Sequence, residues 1–78
     1  MSDTPTRTRF FELQGPEALP RLRRLAGALR RDGARVSLLA SRDQPELYLL
    51  VSESDGEAAA GAAPPEGCRV WTFEPVRA

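Results

Sequence analysis

Only one stretch of this chain can form a long amphipathic helix, and every other apolar run has the length and composition of a β-strand. After Pro16, leucine and alanine recur at spacings of three and four residues, which is the period of one apolar stripe on a helix. The stripe consists of Leu19, Leu22, Leu25, Ala26 and Leu29. Pro20 predicts that the regular helix begins near that residue, because an interior proline loses a hydrogen bond. One helix of this length can cover one face of a sheet and not both.

The end of the helix is marked by charge and by glycine. Arg30 and Arg31 lie in its last turn, where the helix dipole favours cations, and Asp32-Gly33 supplies a left-handed cap. The remaining arginines of the segment fall away from the apolar stripe: Arg21, Arg23 and Arg24. We interpret this basic surface as a solvated helix face rather than a phosphate-binding site. Nucleic-acid-binding domains are usually basic overall, whereas this chain has zero net charge.

Four further runs are typical of strands, because they are rich in β-formers and are bounded by glycine and proline. They are Thr8–Gln14, Ala34–Ser41, Glu46–Glu53 and Cys68–Pro75. A short turn, 42–45, separates the second run from the third, which predicts an antiparallel hairpin. Residues 57–63 have room for one or two helical turns at most, because Pro64 and Pro65 follow them. The order β-α-β-β-(short α)-β predicts an α+β domain with a four-stranded antiparallel sheet and one main helix.

The length of 78 residues is sufficient for a single domain. Residues 1–7 are polar and contain a proline, so we expect a flexible tail there and one domain over residues 8–78. A domain of this size buries only about 60% of the surface that its unfolded chain exposes. Self-association would therefore add stability that the monomer lacks.

Composition favours a cytoplasmic protein of bacterial origin. Cys68 is the single cysteine, so no internal disulfide framework can form. No segment resembles a secretion signal, and no apolar run reaches the roughly 18 residues that predict a membrane span. Lysine, asparagine and isoleucine, which have AT-rich codons, are all absent, as is typical of a GC-rich bacterial genome. We expect neither a membrane nor a nucleic acid as a partner.

Alternation along the strands predicts apolar side chains on both faces of the sheet. We assign one set to the face under the helix: Phe11, Leu13, Val36, Leu38, Leu47, Leu49 and Val51. The set that we assign to the opposite face is Phe10, Leu39, Tyr48, Leu50, Trp71 and Phe73. No second helix is long enough to cover this opposite face, and an apolar sheet face of that extent rarely stays in water. The simplest way to bury this face is contact with the same face of a second copy of the chain, so we predict a homodimer.

The hairpin segment Ser41–Glu53 resembles that of a known protein group. Its sequence, SRDQPELYLLVSE, is similar to the "Asp-x-Pro, aromatic-x-Leu/Val, Glu" hairpin of antibiotic-biosynthesis-monooxygenase-like (ABM-like) domains. From Thr8 to Val76 the order of elements also resembles the ferredoxin-like dimeric α/β-barrel group, which includes those domains. The resemblance implies a homodimer whose two sheets form a shared barrel. For the enzymes of the group it further implies cofactor-independent oxygenation of aromatic polyketide-type substrates.

Few residues of the chain can carry catalysis. With no histidine and one cysteine, the sequence contains no Ser-His or Cys-His pair and no zinc site, and its glycines form no nucleotide-binding motif. We therefore expect no metal and no cofactor, and we expect Cys68 to be inert. Carboxylates remain as candidate catalytic residues, namely Glu12, which shares a face with Phe10, and Glu53. The alternative for Glu12 is a partly solvated side chain paired with a neighbouring arginine.

Three functions are compatible with these residues. The first is a small homodimeric binding or assembly module without enzymatic activity, whose ligand pocket or dimer interface is the opposite face defined above. The second is a cofactor-independent monooxygenase-like enzyme, in which Tyr48 and Trp71 hold an aromatic substrate and Glu12 or Glu53 is the base. The third is a protein-interaction module that docks a different protein on the same apolar face. We favour the first, with a small apolar or aromatic molecule as ligand, because polar catalytic groups are scarce.

Overall fold

One helix packs on a four-stranded antiparallel sheet in the computed structural model, which describes residues 6–55 and 63–76. The elements in chain order are β1 (Thr6–Gln14), α1 (Ala18–Arg31), β2 (Arg35–Ala40), β3 (Leu47–Asp55) and β4 (Arg69–Phe73). The strand order across the sheet is β2-β3-β1-β4, which is a ferredoxin-like arrangement. The predicted α+β fold class is confirmed. Of the predicted helical turns at 57–63, all but Ala63 lie outside the described residues.

The helix α1 forms because its apolar residues share one side and become buried together. Its buried residues are Ala18, Leu22, Leu25, Ala26 and Leu29. The helix begins two residues before Pro20, since a proline in the first turn removes an N–H that has no acceptor within the helix. The N–H of Ala18 instead donates to the carbonyl oxygen of Gly15 at 3.1 Å, which anchors the start of the helix to the preceding turn.

The helix ends in a Schellman motif. The N–H of Gly33 donates to the Arg30 carbonyl at 2.9 Å, and the N–H of Ala34 donates to the Leu29 carbonyl at 3.0 Å. Gly33 has a φ of 94°, in a region that side-chain-bearing residues rarely adopt. The predicted end of the helix at Asp32-Gly33 is confirmed.

The core lies between α1 and the adjoining face of the sheet. Phe11, Leu22, Leu29 and Leu50 are fully buried there. The helix packs on β1, β2 and β3, and within the described residues it makes no contact with β4. Val70 of β4 therefore remains 42% exposed, although it lies opposite the buried Phe11.

The register of β3 corrects one part of the sequence interpretation. Leu50 lies opposite Phe11 on β1 and Leu38 on β2, so it points towards α1 and is fully buried. Tyr48 shares that face of β3 and packs against the core. The prediction that Tyr48 and Leu50 face away from the helix is therefore wrong. The β3 residues on the face away from α1 are Leu47, Leu49 and Val51, which the sequence interpretation places on the helix side.

The physical reason for this error is the turn between β2 and β3. The Ser41 hydroxyl oxygen accepts hydrogen bonds from the N–H groups of Asp43 at 3.2 Å and Gln44 at 3.1 Å. Glu46 adopts a φ of 56°, and the N–H of Ser41 donates to the Leu47 carbonyl at 2.9 Å. The turn thereby sets Ala40 opposite Tyr48. Both faces of β3 are apolar in sequence, so alternation alone could not distinguish this register from one shifted by a single residue.

The first strand begins at Thr6, two residues earlier than predicted. The Thr6 hydroxyl donates to Asp55 Oδ1 at 3.0 Å, and Arg7 Nε donates to Glu74 Oε1 at 3.1 Å. The sequence predicts Thr6 and Arg7 in the flexible tail. These contacts instead connect them to Asp55 at the end of β3 and to Glu74 directly after β4. Residues 1–5 of the predicted tail lie outside the described residues.

Truncating neighbouring leucines of β3 tests this register. We expect Leu50→Ala to lower the free energy of unfolding by about 2–5 kcal/mol, because it leaves a cavity in the core. Leu49→Ala, which removes the same atoms from the half-buried opposite side, should cost at least about 1 kcal/mol less. Urea denaturation at low protein concentration measures both. Equal losses would contradict the register.

The same substitution at two glycines should change stability in opposite directions. Gly33→Ala should lower the free energy of unfolding by about 1–2 kcal/mol, because alanine is strained at the positive φ of the cap. Gly27→Ala lies within α1 and its added methyl group meets no atom within 4 Å, so it should raise the free energy of unfolding by about 0.5–1 kcal/mol. Thermal denaturation of the two variants beside the parent protein distinguishes these outcomes. Changes of the same sign in the free energy of unfolding of both variants would contradict the Schellman cap.

Candidate binding site on the open face of the sheet

The sheet face opposite α1, here called the open face, carries a contiguous apolar surface. Its apolar residues are Phe10, Leu39, Leu47, Leu49, Val51, Trp71 and Phe73. Several large side chains among them are well exposed: Leu39 is 52%, Trp71 41% and Phe73 54% accessible. Contiguous apolar surfaces of this kind are typical of protein interfaces and ligand sites.

Phe10 lies at the centre of the open face, because β1 is an inner strand of the sheet. It is opposite Val51 on β3 and opposite Trp71 on β4. Its ring meets the ring of Phe73 edge to face, with centroids 5.3 Å apart and an angle of 82° between the ring planes. This geometry is favourable for aromatic pairs, so the aromatic cluster is already arranged within one chain.

Glu12 is the carboxylate that borders this apolar centre. It shares a face with Phe10 as predicted, and it lies between Leu49 on β3 and Arg69 on β4. With Phe10, Leu49, Trp71 and Phe73 it lines a shallow hollow of about 360 Å³. It also borders a second hollow of about 230 Å³ towards β2. A molecule in the first hollow therefore meets one carboxylate among hydrocarbon side chains, whereas the second hollow is also lined by Ser41 and Tyr48.

Glu53, the other predicted carboxylate, lies at the border of the open face. It is exposed, and it is opposite Arg35 on β2 and Thr8 on β1. Thr8 and Glu12 are four residues apart on β1, so Glu53 is about 13 Å from Glu12 along the strand direction. The structure therefore does not bring the two candidate carboxylates together.

The predicted pocket residues divide between the two faces of the sheet. Those found on the open face are Phe10, Leu39, Trp71 and Phe73. Leu49 and Val51 take the places that the sequence interpretation gave to Tyr48 and Leu50. The structural feature that separates the two sets is the hairpin turn, where Ser41 and Glu46 fix the pairing of β2 with β3.

Cys68 packs partly buried against the core at the start of β4. Its Sγ–H donates to the carbonyl oxygen of Arg69 at 3.7 Å. Burial, and after it the negative charge of Glu12, raises the pKa of the Cys68 thiol above its ordinary value. The neutral thiol is therefore favoured, and Cys68 is a weaker nucleophile than an exposed cysteine.

The described residues contain neither a metal-binding cluster nor a membrane-spanning helix. No group of three or more histidine, cysteine, aspartate and glutamate side chains lies close enough together to hold a metal ion in residues 6–55 and 63–76. In the same part of the chain, no helix has the length and apolar character needed to cross a membrane.

Comparisons with known proteins give one similar fold. No protein-family model and no curated protein matches this sequence. Among solved structures, the fold is similar to that of a heme-degrading protein from Mycobacterium tuberculosis, crystallised without heme and in a cleaved form. The TM-score is 0.65, the sequence identity is 20%, and the match covers 97% of each chain. At this identity the match establishes a shared fold and leaves function to the residues of the site.

The raised pKa of Cys68 predicts the pH dependence of its alkylation. Iodoacetamide reacts with the thiolate, so the midpoint of the rate–pH profile should lie higher in the folded protein than in urea. Glu12→Gln removes the nearby negative charge and should move the folded midpoint downwards, part of the way to the unfolded value. Glu53→Gln, on the same face but farther along the strands, is the matched control. An unchanged profile in Glu12→Gln would show that the two groups do not interact.

Proposed function

We propose that this chain is a small homodimeric binding module whose two open faces pack together around an apolar pocket. The observation that carries the proposal is the open face itself, on which Trp71, Phe73 and Leu39 remain 41–54% exposed in one chain. Burying a large apolar side chain contributes about 1.5–3 kcal/mol, and a domain of this size has little stability to spare. Covering the open face therefore adds substantially to the free energy of unfolding.

The charges of the open face favour a second copy of the chain as the cover. Its centre is apolar, and its charged residues are neighbours of opposite sign: Arg35 beside Glu53 at one end, and Arg69 beside Glu12 at the other. A face whose positive and negative charges balance does not attract a strongly acidic or a strongly basic partner preferentially. A twofold dimer brings the same balanced face against itself.

The hollows of the open face suit a small, flat, apolar or aromatic ligand. The hollow of about 360 Å³ has walls formed by Phe10, Trp71 and Phe73, and its volume lies within the size range of ligand sites. Glu12 supplies one hydrogen-bond acceptor at its side. Ligand sites commonly combine apolar walls with a few polar groups that orient the ligand.

The similar structure raises the question of whether heme fits this face. Proteins hold heme iron with histidine, cysteine, methionine or tyrosine side chains. This chain has no histidine. Cys68 and Tyr48 pack against the core, and Tyr48 borders only the smaller hollow of about 230 Å³. Within the described residues, the hollow of about 360 Å³ is thus lined by hydrocarbon side chains and Glu12 and by none of these iron ligands. The residues do not fit a heme-degrading centre, and we propose no such step.

A cofactor-independent monooxygenase-like enzyme is the second candidate. The observation that favours it is the position of Glu12, which borders the same hollow as Trp71 and Phe10 and can act as a general base towards an aromatic substrate. Glu53 is less suited to that role because it lies at the exposed border of the face. We rank this candidate second because the walls supply few other polar groups to orient a substrate or stabilise a developing charge.

Sedimentation equilibrium over a concentration series tests the dimer. We expect the parent protein to have twice the mass of one chain. Val51→Glu places a charge at the centre of the open face and should yield monomers at the same concentrations. Arg24→Glu, on the outer surface of α1, is the control that should remain dimeric. Trp71 is the only tryptophan, so its emission should shift to shorter wavelength as the dimer forms.

Circular dichroism separates loss of association from loss of folding. If Val51→Glu does not fold, Phe73→Ser, at an exposed position near the border, serves as the milder variant. A monomeric parent protein, or variants that stay dimeric through the open face, would contradict the proposal. A monomer that gains stability only with a different protein would instead support the third function, docking of another partner.

A further inference from the structure

We propose a second binding site, separate from the open face, for an amphiphilic carboxylate. A groove of about 250 Å³ runs between α1 and the residues that precede β4. It is lined by Arg21, Arg24, Leu25, Ala28, Ala63 and Pro65. The groove lies on the α1 side of the sheet, so a cover over the open face leaves it accessible.

The polar edge of the groove is suited to a single oxyanion. Arg21 and Arg24 are three residues apart on the helix, which places their side chains next to each other. Both are exposed, and in residues 6–55 and 63–76 neither side chain has a hydrogen-bond or ionic partner. Guanidinium groups bind carboxylates through paired N–H donors, so two adjacent guanidinium groups can donate together to the oxygens of one carboxylate head.

The charge pattern of α1 strengthens this assignment. A helix arranged for stability carries acidic residues in its first turn and pairs opposite charges along its exposed side. The first turn of α1 has no acidic residue, and every charged residue within the helix is an arginine. GC-rich codon usage explains arginine in place of lysine, but it does not explain the absence of aspartate and glutamate. The uniform positive sign favours an anionic ligand on this side of the molecule.

The floor of the groove selects for an apolar tail. Leu25 is buried and provides hydrocarbon surface, and the side chains of Ala28, Ala63 and Pro65 offer no donor or acceptor. At about 250 Å³, the groove is slightly smaller than typical sites for drug-sized ligands, so a short chain fits better than fused rings. The surface of α1 has no aromatic residue for stacking on bases, and its apolar stripe is buried in the core. These features disfavour nucleic acid and inserted lipid.

Calorimetric titration of the full chain with sodium decanoate, below its micelle concentration, tests the site. We expect saturable binding of one decanoate per chain, and binding of uncharged decanol at least about tenfold weaker. The double variant Arg21→Gln/Arg24→Gln should lose at least about tenfold in affinity. The matched control, Arg23→Gln/Arg30→Gln, removes the same charge from the same helix but not from the groove, and should change affinity less than about twofold at 0.15 M salt.

Three results would overturn the proposal: no saturable decanoate binding, equal affinity for decanol, or equal losses in the two double variants. The last would indicate diffuse attraction of anions to the whole helix. The open-face variant Val51→Glu should keep its decanoate affinity, because this site does not depend on the dimer. If Val51→Glu alone lost binding, decanoate would be bound on the open face and the groove would be excluded.

Discussion

The pairing of Phe11 with Leu50 across β1 and β3 decides how the rest of this molecule is arranged. Both side chains are buried under α1, and successive side chains of a strand alternate between faces. Once this pair points inwards, Leu49 and Val51 must point outwards. On the same outward face, β1 contributes Phe10 and β4 contributes Trp71. The core and the open face are therefore two consequences of one register.

The parts of the fold with local signals could be predicted from the sequence. The apolar stripe of α1 recurs at a helical period, and Gly33 marks the positive φ of its cap. The face of β3 could not be predicted, because its residues are apolar on both sides. Its register depends on the hydrogen bonds of Ser41 and the left-handed backbone of Glu46, and neither follows from a composition rule. Phe10 and Trp71 lie on β1 and β4, and their predicted face is correct. The ambiguity of β3 affects Tyr48, whose predicted face is wrong.

A single helix also divides the surface of the molecule into two chemical environments. The outer side of α1 carries arginines without intervening acids, whereas the open face carries hydrocarbon with balanced charges at its ends. The two environments lie on opposite sides of the sheet. A dimer through the open face would present two basic helices outwards, which separates the interface from any anionic ligand of the helix.

The register further determines which chemistry this fold can perform here. A shared fold does not imply a shared function, because function depends on the side chains that reach the site. The alternation that buries Leu50 also turns Tyr48, the only tyrosine, towards the core. A shift of one residue would have presented its phenol on the open face beside Glu12, as an iron ligand or a proton donor. With Phe10, Leu49 and Trp71 around Glu12 instead, the chemistry of the open face depends on hydrocarbon surface and on the charged neighbours Glu12 and Arg69.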